Sequence, residues 1–303
     1  MKFWIGVTDK SWFDYLAARR PDEVNFWQPG GTSVFRALQP GEPFLFKLHS
    51  PLNYIVGGGF FLRHSFLPLS VAWDAFEEKN GTDDLESFQF KIEQFRRQNY
   101  QRDPIIGCIV LTTPFFFSEK EWRPAPSNWS RSIVQGKTYS TEEPIGSSVW
   151  AEVMKRISIA TDGAMISEEQ PLYGIEYQTR ARLGQGGFRV LVTEAYNRRC
   201  AITRERTLPV LEAAHIKPFA KSGPHKISNG LLLRSDLHKL FDLGYMTITN
   251  AYAVEVSKRI REEFENGRDY YAMHGSSLNL PSNSLYIPSR EYIEWHNQEI
   301  YKS

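Results

Sequence analysis

The chain has 303 residues, 41% of them hydrophobic and 14% aromatic, which is long and apolar enough for two ordinary domains with real cores and excludes a disordered protein. Lysine plus arginine number 36 against 35 for aspartate plus glutamate, so net charge exerts no general pull toward nucleic acid and any basic surface must be local. Two cysteines, Cys108 and Cys200, lie too far apart for a zinc ribbon or a disulfide framework, which suits a reducing cytoplasm.

The first residues, MKFWIGVTDKSWFDYL, carry polar interruptions where a signal peptide needs an unbroken apolar core. No window approaches eighteen apolar residues, so a soluble, intracellular protein is expected. Phe3 to Val7 reads as a strand and Ser11 to Arg20 as a helix. After a Gly-Pro turn from Gln28 to Ser33, Pro43 to Leu48 and Tyr54 to Phe61 read as adjacent strands and Ile105 to Leu111 as a buried one. Leu69 to Lys79 and Leu85 to Gln98 have helical spacing. Glycines 57 to 59 inside a strand signal a bulge, a close approach to a ligand, or a tight bend in a small barrel.

Aromatics crowd this half: Trp4, Trp12, Phe26, Trp27, Phe35, Trp73, Phe115, Phe116, Phe117, Trp122 and Trp129. Burying one contributes on the order of 1.5 to 3 kcal/mol, so most belong to a core. Others suit a base pocket, because a flipped base is held by stacking on aromatic faces. Trp27, set among Asn25, Gln28, Gly30, Gly31 and Ser33, is the foremost candidate; Ser33, Phe35 and Trp73 complete the expected pocket.

Five pieces carry a resemblance: Phe3-Trp4-Ile5, the run from Leu38 to Phe46, Gly57 to Gly59, the run from Ala72 to Phe76, and Ile106-Gly107-Cys108. Over about 120 residues the chain resembles the PUA-like readers that include EVE, YTH and, more distantly, SRA domains. The resemblance implies a small curved barrel that grips a modified or flipped base in an aromatic pocket, over residues 1 to 145.

From Ile145 to Gln178 the character changes, with Ser147 to Ile159 a helix and Asp162 to Pro171 a linker, so a domain boundary is expected across residues 146 to 178. The second domain then runs from 179 to 303. Its approach is rich in arginine. Arg180, Arg182, Gln185 and Arg189 flank a Gly184 to Gly187 turn that leads into a helix near Phe188 to Tyr196, and helix N-termini bind phosphate. These four residues are candidate DNA contacts, against the plainer reading of a solvated face.

The stretch from Val210 to Asp242 carries the chemistry. Val210 to Ile216 reads as a strand ending in His215, and Lys221 to His225 as a turn. Asn229-Gly230 opens an apolar run from Leu231 to Leu233, and Ser235 caps a short helix, with Asp236 near its start as a further cap. His238 and Asp242 stand at i and i+4, so both reach one ion from one helix face. Imidazole with carboxylate suits a divalent metal. His215 has the chemistry of a general base near neutral pH. Beyond Asp242, Tyr245 to Thr249 and Ala253 to Val256 read as strands and Ser289 to Tyr301 as a helix.

This order of His, Asn, His and Asp resembles the HNH nucleases with their ββα-metal fold, closest to the branch with a Leu-Glu-Ala-Ala-His-Ile strand and an Asn-Gly-Leu-Leu-Leu run found in restriction-type endonucleases. The likeness extends from Arg182 to Arg189 upstream through Tyr286 to Pro288 and Trp295-His296 downstream. It implies that His215 activates water, that Asn229 holds the hairpin loop or orients that histidine, and that His238 and Asp242 bind metal. Many relatives carry an Asp or His ligand just before the base, where this chain has Ala214. Glu212, two residues earlier, has a longer arm and is the candidate replacement, against a role in supporting a neighbouring Arg.

The expectation is an α+β protein: a PUA-like mixed β-barrel domain followed by an HNH nuclease domain. Together they imply a modification-dependent DNA endonuclease reading 5-methyl- or 5-hydroxymethylcytosine in double-stranded DNA. Mg²⁺ or Mn²⁺ is the expected ion, and a His ligand also suits Ni²⁺ or Zn²⁺. Cleaving both strands with one site implies a homodimer, and the setting implied is the cytoplasm of a bacterium defending against modified phage or foreign DNA. Two rivals stand beside it: a nuclease whose first domain reads phosphorothioate or unmodified DNA, and an inactive DNA-binding module, which Ala214 would explain.

Overall fold

The computed structural model describes residues 1–96, 101–160, 173–174, 177–178 and 181–303, and the chain divides into two units, Met1–Gly187 and Phe188–Ser303. The fold class is α+β, with a large mixed sheet in the first unit.

The first unit is built on the alternation of β3 (Pro43–Leu48). Phe44, Phe46 and Leu48 enter one hydrophobic cluster and Leu45 enters another, as the two-residue period of a strand requires. The first cluster is completed by α1 (Lys10–Arg19), which buries Trp12, Phe13 and Leu16. The second is completed by α4 (Pro144–Ala160), whose Val149, Val153 and Ile157 recur every four residues along one stripe. The helix expected within the linker is thus part of this unit's core. Asp162 to Pro171 lies outside the described residues.

Around β3 the sheet runs in the order β2 (Glu23–Gln28), β5 (Ile105–Phe116), β4 (Tyr54–Pro68), β3, β1 (Lys2–Thr8) and β7 (Gly136–Ser140), with the short β6 (Arg123–Pro124) beside β4. Among the described residues only β1 and β3 pair in parallel in this sheet. The end strands β2 and β7 do not pair with each other among the described residues, so the expected barrel is not closed. A small barrel has one interior, whereas this sheet carries a core on each face. The helices α2 (Leu69–Phe76) and α3 (Leu85–Phe95) join β4 to β5.

Gly57 and Gly58 mark close backbone approach. A Cβ on Gly57 would stand 2.3 Å from the Phe115 carbonyl oxygen, and one on Gly58 2.6 Å from that of Phe44. The β4–β5 register shifts just beyond, between Gly58 and Phe60, so the bulge reading holds at this point.

In the second unit, α5 (Gln185–Ala195), which begins in the last residues of the first unit, supplies Phe188, Leu191 and Val192 to the core. An antiparallel hairpin follows, β8 (Leu211–His215) with β9 (Gly230–Arg234), and α6 (Ser235–Asp242) continues directly from it. Leu231, Leu232, Leu233, Leu237 and Phe241 are buried beneath this ββα arrangement. A second hairpin, β10 (Met246–Ile248) with β11 (Val254–Val256), precedes short helices α7 (Arg259–Phe264) and α8 (Arg268–Tyr271) and the final α9 (Arg290–Glu299). His296 of α9 stacks on Phe241 at 3.8 Å and bonds Thr247 Oγ1 and the Phe241 carbonyl, which makes it a core residue held neutral. Burial lowers its pKa to about 4. Among the described residues no helix is long and apolar enough to cross a membrane.

Candidate active site

Strand β8 ends at His215, whose Cα partner across the hairpin is Gly230. A Cβ on that glycine would stand 2.5 Å from Val192 and 3.0 Å from the Phe188 ring, so the position admits α5 against the hairpin. The Phe188 ring stacks on the His215 imidazole, with centroids 3.9 Å apart and planes at 12°. His215 Nε2 faces His225 Nδ1 at 2.9 Å. Burial, and then the fields of His225 and His238, pull the His215 pKa from 6.5 to about 4. The imidazole is therefore neutral at physiological pH, the state a general base needs.

Asn229 is fully buried. Its Oδ1 accepts from the Lys217 backbone N–H at 2.9 Å, and its Nδ2 donates to the carbonyls of Lys217 at 2.9 Å and Pro224 at 3.0 Å. One amide thus pins both arms of the loop between β8 and β9. These side-chain bonds go to loop backbone and not to the His215 ring, and the Asn229 carbonyl accepts from the Ile216 N–H at 2.9 Å, one residue past His215.

His238 and Asp242 share a face of α6, with Nε2 and Oδ2 3.3 Å apart. Two donors bound to one ion at about 2.1 Å each stand about 3.0 to 3.4 Å from one another, so this pair fits a shared metal. Desolvation raises the Asp242 pKa, against the opposing pull of His238. Glu212 meets the other side of the ring: its Oε2 lies 2.6 Å from His238 Nδ1. A carboxylate in this place fixes the orientation and tautomer of the ring, the arrangement found behind metal-binding histidines in general. Glu212 thus meets His238 through Nδ1 and Asp242 meets it through Nε2, where the sequence offered Glu212 as a metal ligand or a partner for an arginine. Among the described residues no set of three His, Cys, Asp or Glu side chains is arranged to hold a metal ion, so the donors that fit are one imidazole and one carboxylate, with the rest of the shell left to water and phosphate.

Ser235 is the first residue of α6 and makes no capping bond; Arg234 occupies the cap position. Asp236 is drawn instead into a two-pronged pair with Arg234, both contacts at 2.7 Å.

The glycines at the start of α5 serve packing. Glu23, fully buried, accepts from Gly186 N–H at 2.7 Å and Gly187 N–H at 2.8 Å and meets Lys79 at 3.0 Å. Burial pushes its carboxyl pKa up, against Lys79 and the Gly187 N–H. The helix start that the sequence offered to a phosphate is already filled by a carboxylate. Arg182 and Gln185 are exposed and Arg189 is half-buried, while Arg180 lies outside the described residues.

The expected base pocket separates into two groups. Trp27 and Ser33 line a cleft of about 470 Å³ in the first unit, together with Asp9, Trp12, Phe26 and His49. Trp27 is anchored by an Nε1 hydrogen bond to the Asn80 carbonyl at 2.9 Å and by edge contact with Phe88. Phe35 does not line this cleft and packs on Trp4, Phe44 and Phe61, and Trp73 packs toward Phe88. Sequence reasoning missed Phe188, His225 and Phe219 around His215. The available signal was a Pro-His pair ten residues past a strand-end histidine.

No curated protein sequence matches the chain. Among solved structures, the ZmASCH mutant protein from Zymomonas mobilis superposes on 50% of this chain and 99% of its own at 5% identity, with a TM-score of 0.33. The modification-dependent TagI restriction endonuclease superposes on 93% of this chain and 76% of its own at 12% identity, with a TM-score of 0.28. Both superpositions are too loose to carry a fold or a function across. Residues 200–249, which span β8, β9, α6 and β10 and include Glu212, His215, His225, Asn229, His238 and Asp242, match the HNH endonuclease family, and the second unit thus carries an HNH nuclease domain.

Proposed function

We propose that the protein is a metal-dependent DNA endonuclease whose first unit selects modified DNA. The observation that carries the hydrolytic part is the convergence of a neutral, stacked His215 with the His238–Asp242 pair on one ββα element. In this reading His215 takes a proton from a water aligned with the scissile phosphate, the resulting hydroxide adds to phosphorus, and the 3′-oxygen leaves. Asn229 holds the loop that fixes the base, and Glu212 holds His238 in place. A divalent cation on His238 and Asp242, Mg²⁺ or Mn²⁺ in the first instance, supplies positive charge to the phosphate oxygens and the leaving oxygen when bound. Arg182, Gln185 and Arg189, with Arg180, contact the backbone of double-stranded DNA.

For selection, the resemblance of the first half to PUA-like readers and the aromatic cleft at Trp27 and Ser33 support recognition of a modified base, 5-methyl- or 5-hydroxymethylcytosine. The biological role is restriction of modified foreign DNA in a bacterial cytoplasm, by a homodimer that cuts both strands. Digesting one plasmid in unmodified, methylated, hydroxymethylated and phosphorothioated forms tests both parts. Cleavage confined to the cytosine-modified forms is expected. Cleavage of the phosphorothioated or unmodified plasmid alone transfers the first unit to another substrate, and no cleavage of any form with Mg²⁺ or Mn²⁺ removes the enzyme reading.

A further inference from the structure

The geometry points to His225 as a positioning residue for the base: through the contact between its Nδ1 and His215 Nε2, it holds His215 in the Nε2–H tautomer and leaves Nδ1 as the lone pair that receives the proton. This inference rests on the nuclease reading for its catalytic consequence and on the contact between the two rings for the tautomer.

The 2.9 Å contact occupies one nitrogen of His215, and among the described residues Nδ1 has no protein partner. A neutral imidazole carries one proton, and the nitrogen that bears it is set by the hydrogen bond that the ring makes. If Nε2 donates to His225 Nδ1, then Nδ1 of His215 is the acceptor left for water. When that nitrogen takes a proton, the ring gains one positive charge, and the Nε2–H bond to His225 shares it, so one proton and one charge are spread over two imidazoles.

The surroundings fix His225 for this task. Its ring stacks on Phe219, with centroids 4.4 Å apart and planes at 13°, and lies 5.8 Å from Phe188. The residue before it, Pro224, gives its carbonyl to Asn229 Nδ2. Gly223 passes so close to Lys217 that a Cβ there would stand 1.8 Å from the carbonyl oxygen. The loop is thus closed upon its own first residues, and the amide of Asn229 holds the exit of His215 and the entry of His225 together.

Three substitutions separate hydrogen bonding from packing. His225→Phe keeps a ring to stack on Phe219 but no acceptor; His225→Asn keeps an acceptor at the branch where Nδ1 sits; His225→Ala has neither. Nitrogen-15 NMR of the imidazoles, read in the whole protein without metal, should show His215 as the Nε2–H tautomer in the native chain and in the Asn variant, and as a mixture in the Phe and Ala variants. With modified plasmid, the Phe and Ala variants should lower kcat about 10- to 100-fold with KM unchanged, and the Asn variant should restore most of it. A Nδ1–H tautomer in the native chain, or wild-type kcat in the Phe variant, overturns the inference. If the native protein cleaves no DNA, the nuclease reading fails, and the NMR result still decides what His225 does to His215.

Discussion

In the hairpin site of the second unit, each polar group is held by another side chain or by backbone: Asn229 by Lys217 and Pro224, His238 by Glu212 and Asp242, His215 by His225 and Phe188. The cleft of the first unit is walled differently. Its rings, Trp12, Phe26 and Trp27, make their contacts behind the wall with Phe46, Phe44, Phe88 and Asn80. A reaction needs atoms placed to within a fraction of an ångström, and hydrogen bonds supply that; a reader that stacks a base needs only a flat, rigid wall.

The strongest way to break the contrast is at His215, the proposed base. His215→Ala should lower cleavage by about 10²- to 10⁴-fold while DNA binding, followed by fluorescence anisotropy, stays unchanged. Next comes Asn229→Ala, which orphans the part-buried Lys217 N–H and the carbonyls of Lys217 and Pro224. An unsatisfied buried group costs about 1 to 3 kcal/mol, and because these three are part-buried the lower end applies, so a loss of roughly 3 kcal/mol in urea unfolding is expected. Glu212→Gln should weaken Mn²⁺ binding in calorimetry by about 10- to 100-fold if the carboxylate supports His238. On the cleft side, Trp27→Ala should cost about 1 to 3 kcal/mol of affinity for modified over unmodified oligonucleotide, the worth of one base stack. The smallest effect belongs to Arg182→Ala, which should reduce the slope of log affinity against log salt by about one and leave selectivity intact.

Acid provides a further separation. His215 and His296 both titrate near 4 in the fold, against 6.5 for the ordinary side chain. Between those values the unfolded chain binds more protons than the folded one, so their contribution to stability is intact above about pH 6.5 and is lost as pH falls toward 4. Melting followed by circular dichroism should show this decline and its reduction in a His296→Gln variant.

Local pattern made the hairpin legible. His215, Asn229, His238 and Asp242 each sit at an element boundary or a helical spacing that sequence alone reveals, and the residues between them form the elements expected. Contacts between elements were not legible in the same way. Glu212 finds His238 across 26 residues, and Glu23 finds Gly186 across 163. The glycines that suggested a phosphate cradle could not disclose the carboxylate already there. Likewise, Phe35 and Trp73 are as aromatic as Trp27, and only the packing shows which of the three borders open space. The closed barrel failed for a related reason: strand patterns gave the strands, while the cores on both faces of the sheet depend on where α1 and α4 pack.

The amide of Asn229 also bears on chemical ageing. An asparagine followed by glycine, as in Asn229-Gly230, is the pair most open to deamidation in a flexible chain, where the glycine nitrogen attacks the side-chain carbonyl. Here the Gly230 N–H is engaged with the Ile227 carbonyl and the amide is locked by its bonds to Lys217 and Pro224. Deamidation would replace the Nδ2 donor with an oxygen facing two carbonyl oxygens, so the hairpin that carries His215 is also what shields its own keystone from hydrolysis. Loss of the amide should therefore report how often this hairpin opens, a slow clock readable by mass spectrometry on stored protein.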